Sequence, residues 1–422
     1  MSRLAYLASL ALKSAWNRRL TLTFIALSVA ISAILLVGLE RLRGQIRAGF
    51  VQAISGTDLV VGARGSQIQL IIYAVFHLGG ATNNIGWDTA QEIAALPEVA
   101  WTIPISLGDS HRGYTVVATS VDFFEFFRYR RDQKVAISTG RVFDDIFEVV
   151  VGSEVARKLN LSLADSLVLK HGTASAAPEH SDKPFTVVGV LEPTGSPVDR
   201  SLLISLRSME AIHIDWRGGA PVPGFSIGPD RARLMKLEPK AITALMVGLK
   251  NRRQVFSLQR SINNRPGEAL TAVMPGVALD QLWRLVGGGE KVLWAVSALV
   301  TVTGLMGLIA AVLAGLGERR RELAVLRSVG ARPMDILILL ALESLLLTAI
   351  GVIIGLLTLA ALIYVLGPIL ADLYGLNVYL SAPTAREMLL SGAIIAAGFL
   401  AGLIPAFRAY RLSVGDGLNA TI

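Results

Sequence analysis

Gly224-Phe225-Ser226-Ile227-Gly228 reproduces the G-x-S-x-G spacing in which a serine hydroxyl is presented as a nucleophile on a sharp turn. That chemistry needs a strand before the turn and a helix after it. Here Pro223 and Pro229 bracket a loop-like stretch, so no catalytic serine is expected. His77, His111, His171, His180 and His213 are the groups able to ligate a metal or move a proton near neutral pH. None stands four residues from another, the spacing that puts two ligands on one helix face. His171 and His180 flank a flexible, linker-like stretch, Gly172 to Lys183, that could capture a metal. They read instead as solvated loop side chains, and no metal is assigned. The chain contains no G-x-x-x-x-G-K-[ST] phosphate loop, so it is not expected to hydrolyse ATP by that route.

The elements around these residues are those of a membrane protein. Of 422 residues, 53% are hydrophobic and 17% charged, against about 25% charged in soluble domains. The net charge of +8 sits largely beside apolar blocks, so nucleic-acid binding is not expected. The absence of cysteine excludes disulfides, iron–sulfur clusters and thiolate zinc sites.

Four apolar stretches predict transmembrane helices at residues 20–39, 292–317, 336–366 and 388–407. The first is too long for a signal-peptide core and reads as an uncleaved anchor. Arg3, Lys13, Arg18 and Arg19 precede it without an acid, and the 318–335 loop carries five arginines. The turn at 367–386 holds only Asp372 and Arg386 among charged residues up to its end. Both termini are therefore expected in the cytosol, with an amphipathic segment at 1–19 and a tail at 408–422. Residues 40–290 would lie outside.

That exterior segment reads as mixed α/β, with a membrane-proximal subdomain from 50–120 plus 241–276 and an inserted one from 121–240. Asp58–Val61, Tyr114–Ala118, Glu148–Val151, Phe185–Val190, Ile242–Val247 and Leu270–Val273 are β-rich runs. Residues 89–96, 153–159 and 253–263 have helical spacing. Gly218 to Asp230 reads as a second linker. Apolar residues 68–78 are too short to span and are expected in the exterior core. Helical spacing continues from Glu40 to Ile54 and over Val277–Val286, with a break expected at Gly287-Gly288-Gly289.

Between the second and third spans, Glu318, Arg319, Arg320 and Arg321 lead into Leu323, Leu326, Arg327, Val329 and Gly330, an amphipathic segment with leucines and valine on one face. Its residue pattern allows either a docking helix for a cytosolic ATPase or an ordinary basic turn. Glu343, within the third span, suits an interhelical or coupling contact. Gly351-x-x-x-Gly355 and Gly398-x-x-x-Gly402 permit close helix approach, within one subunit or at a dimer seam.

The stretch Leu326–Leu337, followed by Glu343, Gly351 and Gly355, is similar to the carboxyl-terminal region of the FtsX/MacB superfamily of ABC-transporter permeases. So are Gly402–Ala409, Gly140-Arg141-Val142-Phe143, Val151–Ala156 with Leu159, and Val187-Val188-Gly189-Val190. Val414 stands where the family usually has proline. The resemblance covers nearly the whole chain and is nearest in layout to lipoprotein-releasing permeases. It implies an inner-membrane subunit that pairs with a second permease copy, identical or paralogous. It also implies a cytosolic ABC ATPase holding ATP and Mg, with this chain binding no cofactor. ATPase closure would reshape the exterior domain, a process called mechanotransmission, to extract or export a lipoprotein, peptide or small hydrophobic substrate. A periplasmic lipoprotein or adaptor and membrane lipid complete the expected partners. The alternatives are a membrane-anchored binding or sensor protein, or a regulator of an exterior enzyme.

Overall fold

The computed structural model describes residues 19–52, 56–79, 83–130, 132–172, 178–217, 220–222, 224–318, 327–328, 330–374 and 378–411. They fall into two units, one from the residues up to Ile46 and from Val286 onward, the other Arg47–Leu285.

Four long helices supply the first unit's framework: Arg19–Gln52, Pro275–Glu318, Pro333–Tyr374 and Ala385–Arg411. Each contains a stretch long and apolar enough to cross a membrane: Leu22–Gly49, Gly287–Ala314, Pro333–Leu370 and Ala385–Tyr410. In hydrocarbon no water satisfies the backbone, so helical hydrogen bonding persists through unfavourable residues. This corrects the expected break at Gly287-Gly288-Gly289, which the second span helix crosses without interruption. A helical glycine costs about 1 kcal/mol relative to alanine, too little to outweigh that constraint. The first helix runs on to Gln52, as its spacing predicts. Residues 1–18, 53–55 and 412–422, the last including Val414, lie outside the described residues.

The second unit is built on an eleven-stranded mixed sheet. Its strands are β1 Leu59–Ala63, β2 Val99–His111, β3 Tyr114–Thr119, β4 Ile137–Gly140, β5 Glu148–Val151 and β6 Ser166–Leu167. They continue with β7 Lys170–His171, β8 Phe185–Leu191, β9 Ser201–Ser205, β10 Ala244–Leu249 and β11 Leu270–Val273. The order is β11-β1-β10-β2-β3-β9-β5-β8-β4, with β7 paired to β2 and β6 to β8. The two segments read as subdomains occupy the two sides of this one sheet, joined where β9 runs parallel to β3.

Period-2 side-chain alternation sends neighbouring residues of one strand into different cores. Val149, Val151, Leu202, Ile204, Leu245 and Val247 join one apolar cluster; Val150, Leu203 and Met246 join the other. Burial on both faces explains why these strands read as unbroken β-branched runs rather than alternating ones. The Gln67–Phe76 helix buries Leu70, Ile71, Tyr73, Ala74 and Val75 in the second cluster, so the short apolar stretch is core. Ser66 starts it by accepting a hydrogen bond from the Gln69 amide.

Candidate functional site

Four small residues, Ser344, Thr348, Gly351 and Gly355, fall at i, i+4, i+7 and i+11 on one stripe of the third span helix. A Cβ on Gly402 would lie 2.2 Å from the Ser344 Cβ, and one on Gly398 2.2 Å from the Thr348 Oγ1. A Cβ on Gly351 would lie 2.8 Å from the Val29 Cβ, and one on Gly355 2.7 Å from the Ala30 carbonyl oxygen. The stripe therefore seats the fourth span helix along its first half and the first span helix along its second. Both Gly-x-x-x-Gly pairs are used for packing inside this chain, as their spacing allows. Ser344 and Thr348 donate to the carbonyls of Leu340 and Ser344, at 3.1 and 2.7 Å, so neither hydroxyl is stranded in the seam. Glu343, beside this stripe, is buried.

Ion pairs tie the helices beyond the Gly351–Gly355 end. Arg41 grips Glu387 with two hydrogen bonds of 3.0 and 2.7 Å, both side chains buried. Glu387 also opens the fourth span helix as part of a capping box: its amide meets the Thr384 Oγ1 at 3.3 Å, and its Oε2 receives the Thr384 amide at 3.2 Å. Arg43 pairs with Glu290 at 2.9 Å, joining the first and second span helices. Arg386 reaches Glu40 at 3.4 Å.

The expected coupling residues Arg319, Arg320, Arg321, Leu323, Leu326 and Val329 lie outside the described residues. Glu318 is the last residue of the second span helix. Gly330 is described, with φ of 100° and its amide donating to the Arg327 carbonyl at 3.0 Å. The third span helix then starts under a cap in which Asp335 accepts from the Arg332 amide at 2.8 Å.

The second unit holds a cluster that sequence spacing does not reveal. Asp109 lies near the end of β2, and His171 stands directly opposite it in the antiparallel β2–β7 pairing. His213 ends the Leu206–His213 helix, and the His180 amide donates to the Leu169 carbonyl at 2.8 Å. One ligand atom from each of the four lies within 4.8 Å of all the others. His171 Nδ1 is 3.1 Å from Asp109 Oδ1 and 3.0 Å from His213 Nε2. His213 Nε2 is 3.6 Å from Asp109 Oδ1, and His180 Nε2 is 3.8 Å from Asp109 Oδ2. The Trp216 indole packs on all three imidazoles, nearest to His180 at 4.2 Å between ring centroids.

This corrects the reading of His171 and His180 as solvated loop residues: His180 is fully buried. It also corrects the linker reading of Gly172–Lys183 at its far end. Lys183 is fully buried, with its ammonium 2.8 Å from both carboxylate oxygens of Asp215. Such a buried pair fixes chain geometry as no linker does. Burial alone would push the Asp109 carboxyl up, but the surrounding imidazoles outweigh it and hold the group well below the usual carboxylate range. Burial pulls His213 down, and the Asp109 carboxylate more than offsets this, so His213 keeps its proton above the ordinary histidine value.

Ser226 is not on a nucleophile elbow. The preceding strand is only Ala220–Pro221, the following helix only Pro229–Arg233, and its hydroxyl donates to Asp182 at 3.4 Å.

Comparison with known proteins places this architecture. The model of the MacB-like periplasmic core domain matches residues 20–264, more than half of the chain, and that of the FtsX-like permease C-terminal region matches residues 294–414. The macrolide export ATP-binding/permease protein MacB of Nitrobacter winogradskyi is 36% identical over 124 residues, which cover 29% of this chain and 18% of that protein. The match thus spans about a fifth of this relative's length. Among solved structures, the periplasmic region of MacB from Actinobacillus actinomycetemcomitans aligns with TM-score 0.34 and 9% identity, over 55% of this chain and 95% of that one. The extracellular domain of the noncanonic ABC-type transporter YknZ from Gram-positive bacteria aligns with TM-score 0.31 and 12% identity, over 51% and 99%. The chain belongs to the FtsX/MacB superfamily of ABC-transporter permeases: a multi-pass membrane protein whose MacB-like periplasmic-type domain lies between its first and second span helices.

Proposed function

We propose that this chain is a non-catalytic permease subunit that turns ATP hydrolysis by a separate cytosolic ABC ATPase into movement of its exterior domain. The observation that carries the reading is the single stripe Ser344-Thr348-Gly351-Gly355. It locks the third span helix to the fourth and then to the first, and Arg41–Glu387 clamps the fourth to the first. Helices joined this closely move together, because packed seams resist continuous deformation. A push delivered at residues 318–332 would therefore pass along the spans rather than dissipate in one of them.

Family likeness adds the rest of the proposal. The subunit sits in the inner membrane with both termini in the cytosol and works as a dimer of permease copies. Its work is to extract or export a lipoprotein, peptide or small hydrophobic substrate. The second span helix is the one least covered by its own chain, with Val292, Leu299 and Met306 exposed, and so is the natural seat for the second copy. The test is purification of the untagged pair from native membranes. An ATPase with the G-x-x-x-x-G-K-[ST] loop should accompany the wild-type chain and be lost with Leu323→Asp or Leu326→Asp. Recovery of no such ATPase, or equal recovery with both variants, overturns the proposal.

A further inference from the structure

We propose that Asp109, His171, His180 and His213 form a binding site for a divalent transition metal, with Zn(II) the expected ion. Three imidazole nitrogens and one carboxylate oxygen make a donor set that suits zinc and does not suit calcium or magnesium, which favour oxygen ligands. A tetrahedral zinc with ligands at about 2.0–2.1 Å places them about 3.3 Å apart. The separations among His171 Nδ1, His213 Nε2 and Asp109 Oδ1, at 3.0, 3.1 and 3.6 Å, bracket that value, and His180 Nε2 lies 3.8 Å from the other oxygen of the same carboxylate. The widest pair, within 4.8 Å, needs to close by at most about 1.5 Å.

The competing account is a hydrogen-bonded histidine cluster needing no ion. It meets a specific difficulty at His180. Both ring nitrogens of this fully buried side chain lack a hydrogen-bond partner among the described residues, as does Asp109 Oδ2. Buried polar atoms of native proteins are rarely left unpaired, and two of these, His180 Nε2 and Asp109 Oδ2, lie 3.8 Å apart, close enough to share one partner. An ion at the centre would engage His180 Nε2 and the Asp109 carboxylate together.

The surroundings are built as those of a metal site are. His213 Nδ1 meets the Met209 carbonyl at 2.9 Å and so donates to it, which makes Nε2 the nitrogen aimed into the cluster, where an ion would displace its proton. Trp216 covers the imidazoles, while the His171 and His213 side chains keep 33% and 25% exposure, an entry path for the ion. The ligands come from β2, β7, the segment just before β8 and the end of a helix, so metal binding would fasten four separate pieces of the sheet's surround. Because no such site preforms in an unfolded chain, binding would add directly to folding of this unit.

The experiment uses the full chain in detergent, without a polyhistidine tag, stripped by chelator and titrated with zinc sulfate by calorimetry and with Co(II) by visible absorption. One ion per chain is expected, with Co(II) bands of the intensity given by a tetrahedral centre. His180→Ala and His213→Gln should each weaken zinc binding on the order of 100-fold or more, at least what the loss of an orienting partner costs. His111→Gln, outside the cluster, should bind as wild type. If His180→Ala does not fold, the partly exposed His213→Gln decides alone. Absence of saturable binding, weak octahedral-type Co(II) bands, or unchanged affinity in His213→Gln overturns the proposal.

Discussion

Arg41 and Glu387, 346 residues apart in sequence, meet in a two-bond ion pair of 3.0 and 2.7 Å with both side chains buried. Removing one partner of such a pair strands the other charge. Arg41→Gln alone should cost about 3–5 kcal/mol, and Arg41→Gln with Glu387→Gln markedly less than the sum of the singles. Thermal unfolding in detergent across the four-protein cycle measures this; additive losses would show that the pair does not clamp the helices.

Gly402 and Gly392 occupy the same helix but face different surroundings. An added methyl at Gly402 meets Ser344 at 2.2 Å, whereas nothing lies within 4 Å of one at Gly392. Gly402→Ala should therefore destabilise by about 1–3 kcal/mol through overpacking. Gly392→Ala should be neutral or stabilising by up to about 1 kcal/mol, because alanine is the better helix former. The same unfolding assay reads both, and equal effects would remove the close seam.

His77 should make the periplasmic-type domain acid-sensitive. Burial lowers its pKa from 6.5 to about 4, and its Nδ1 lies 2.8 Å from the Ser201 Oγ. Between those two values the unfolded chain holds a proton that the folded chain refuses, so acid favours unfolding. The contribution is complete above pH 6.5 and declines toward pH 4, by at most about 1.4 kcal/mol per pH unit. His213 is shifted the opposite way, so the contribution is isolated by comparison with His77→Asn, which tolerates the left-handed backbone at φ of 54°. The variant's denaturation midpoint should depend less on pH across this window; an unchanged dependence contradicts the assignment.

Ser226 should be dispensable. Its hydroxyl makes a long bond to Asp182, so Ser226→Ala should leave stability within about 0.5 kcal/mol and the proposed activity intact. Loss of function with the fold preserved would revive a hydrolytic role.

What the sequence disclosed follows from how local each signal is. The strands over Glu148–Val151 and Phe185–Leu191 were legible because burial on both sheet faces writes an unbroken β-branched run. The span helices were legible from length and apolarity, yet their junction at Gly287-Gly288-Gly289 was not, since local propensity points to a break that the apolar environment overrides. Gly398 and Gly402 are visible as a pair, and the matching Ser344-x-x-x-Thr348 carries the same small-residue spacing without a glycine to mark it. The histidine cluster had no local signal. Asp109 meets His171 only through the β2–β7 register, and His180 and His213 arrive from two further elements, so only the long-range pairing reveals the set.

The central claim is that a partner ATPase moves the exterior domain through these spans. The most direct test is hydrogen–deuterium exchange of the permease–ATPase complex in membranes, with and without ATP and vanadate to trap the closed ATPase. Trapping should change exchange within the 59–273 sheet unit of the wild-type complex, and Leu326→Asp should abolish that change. An exterior unit whose exchange is the same in trapped and free wild-type complexes would contradict the account.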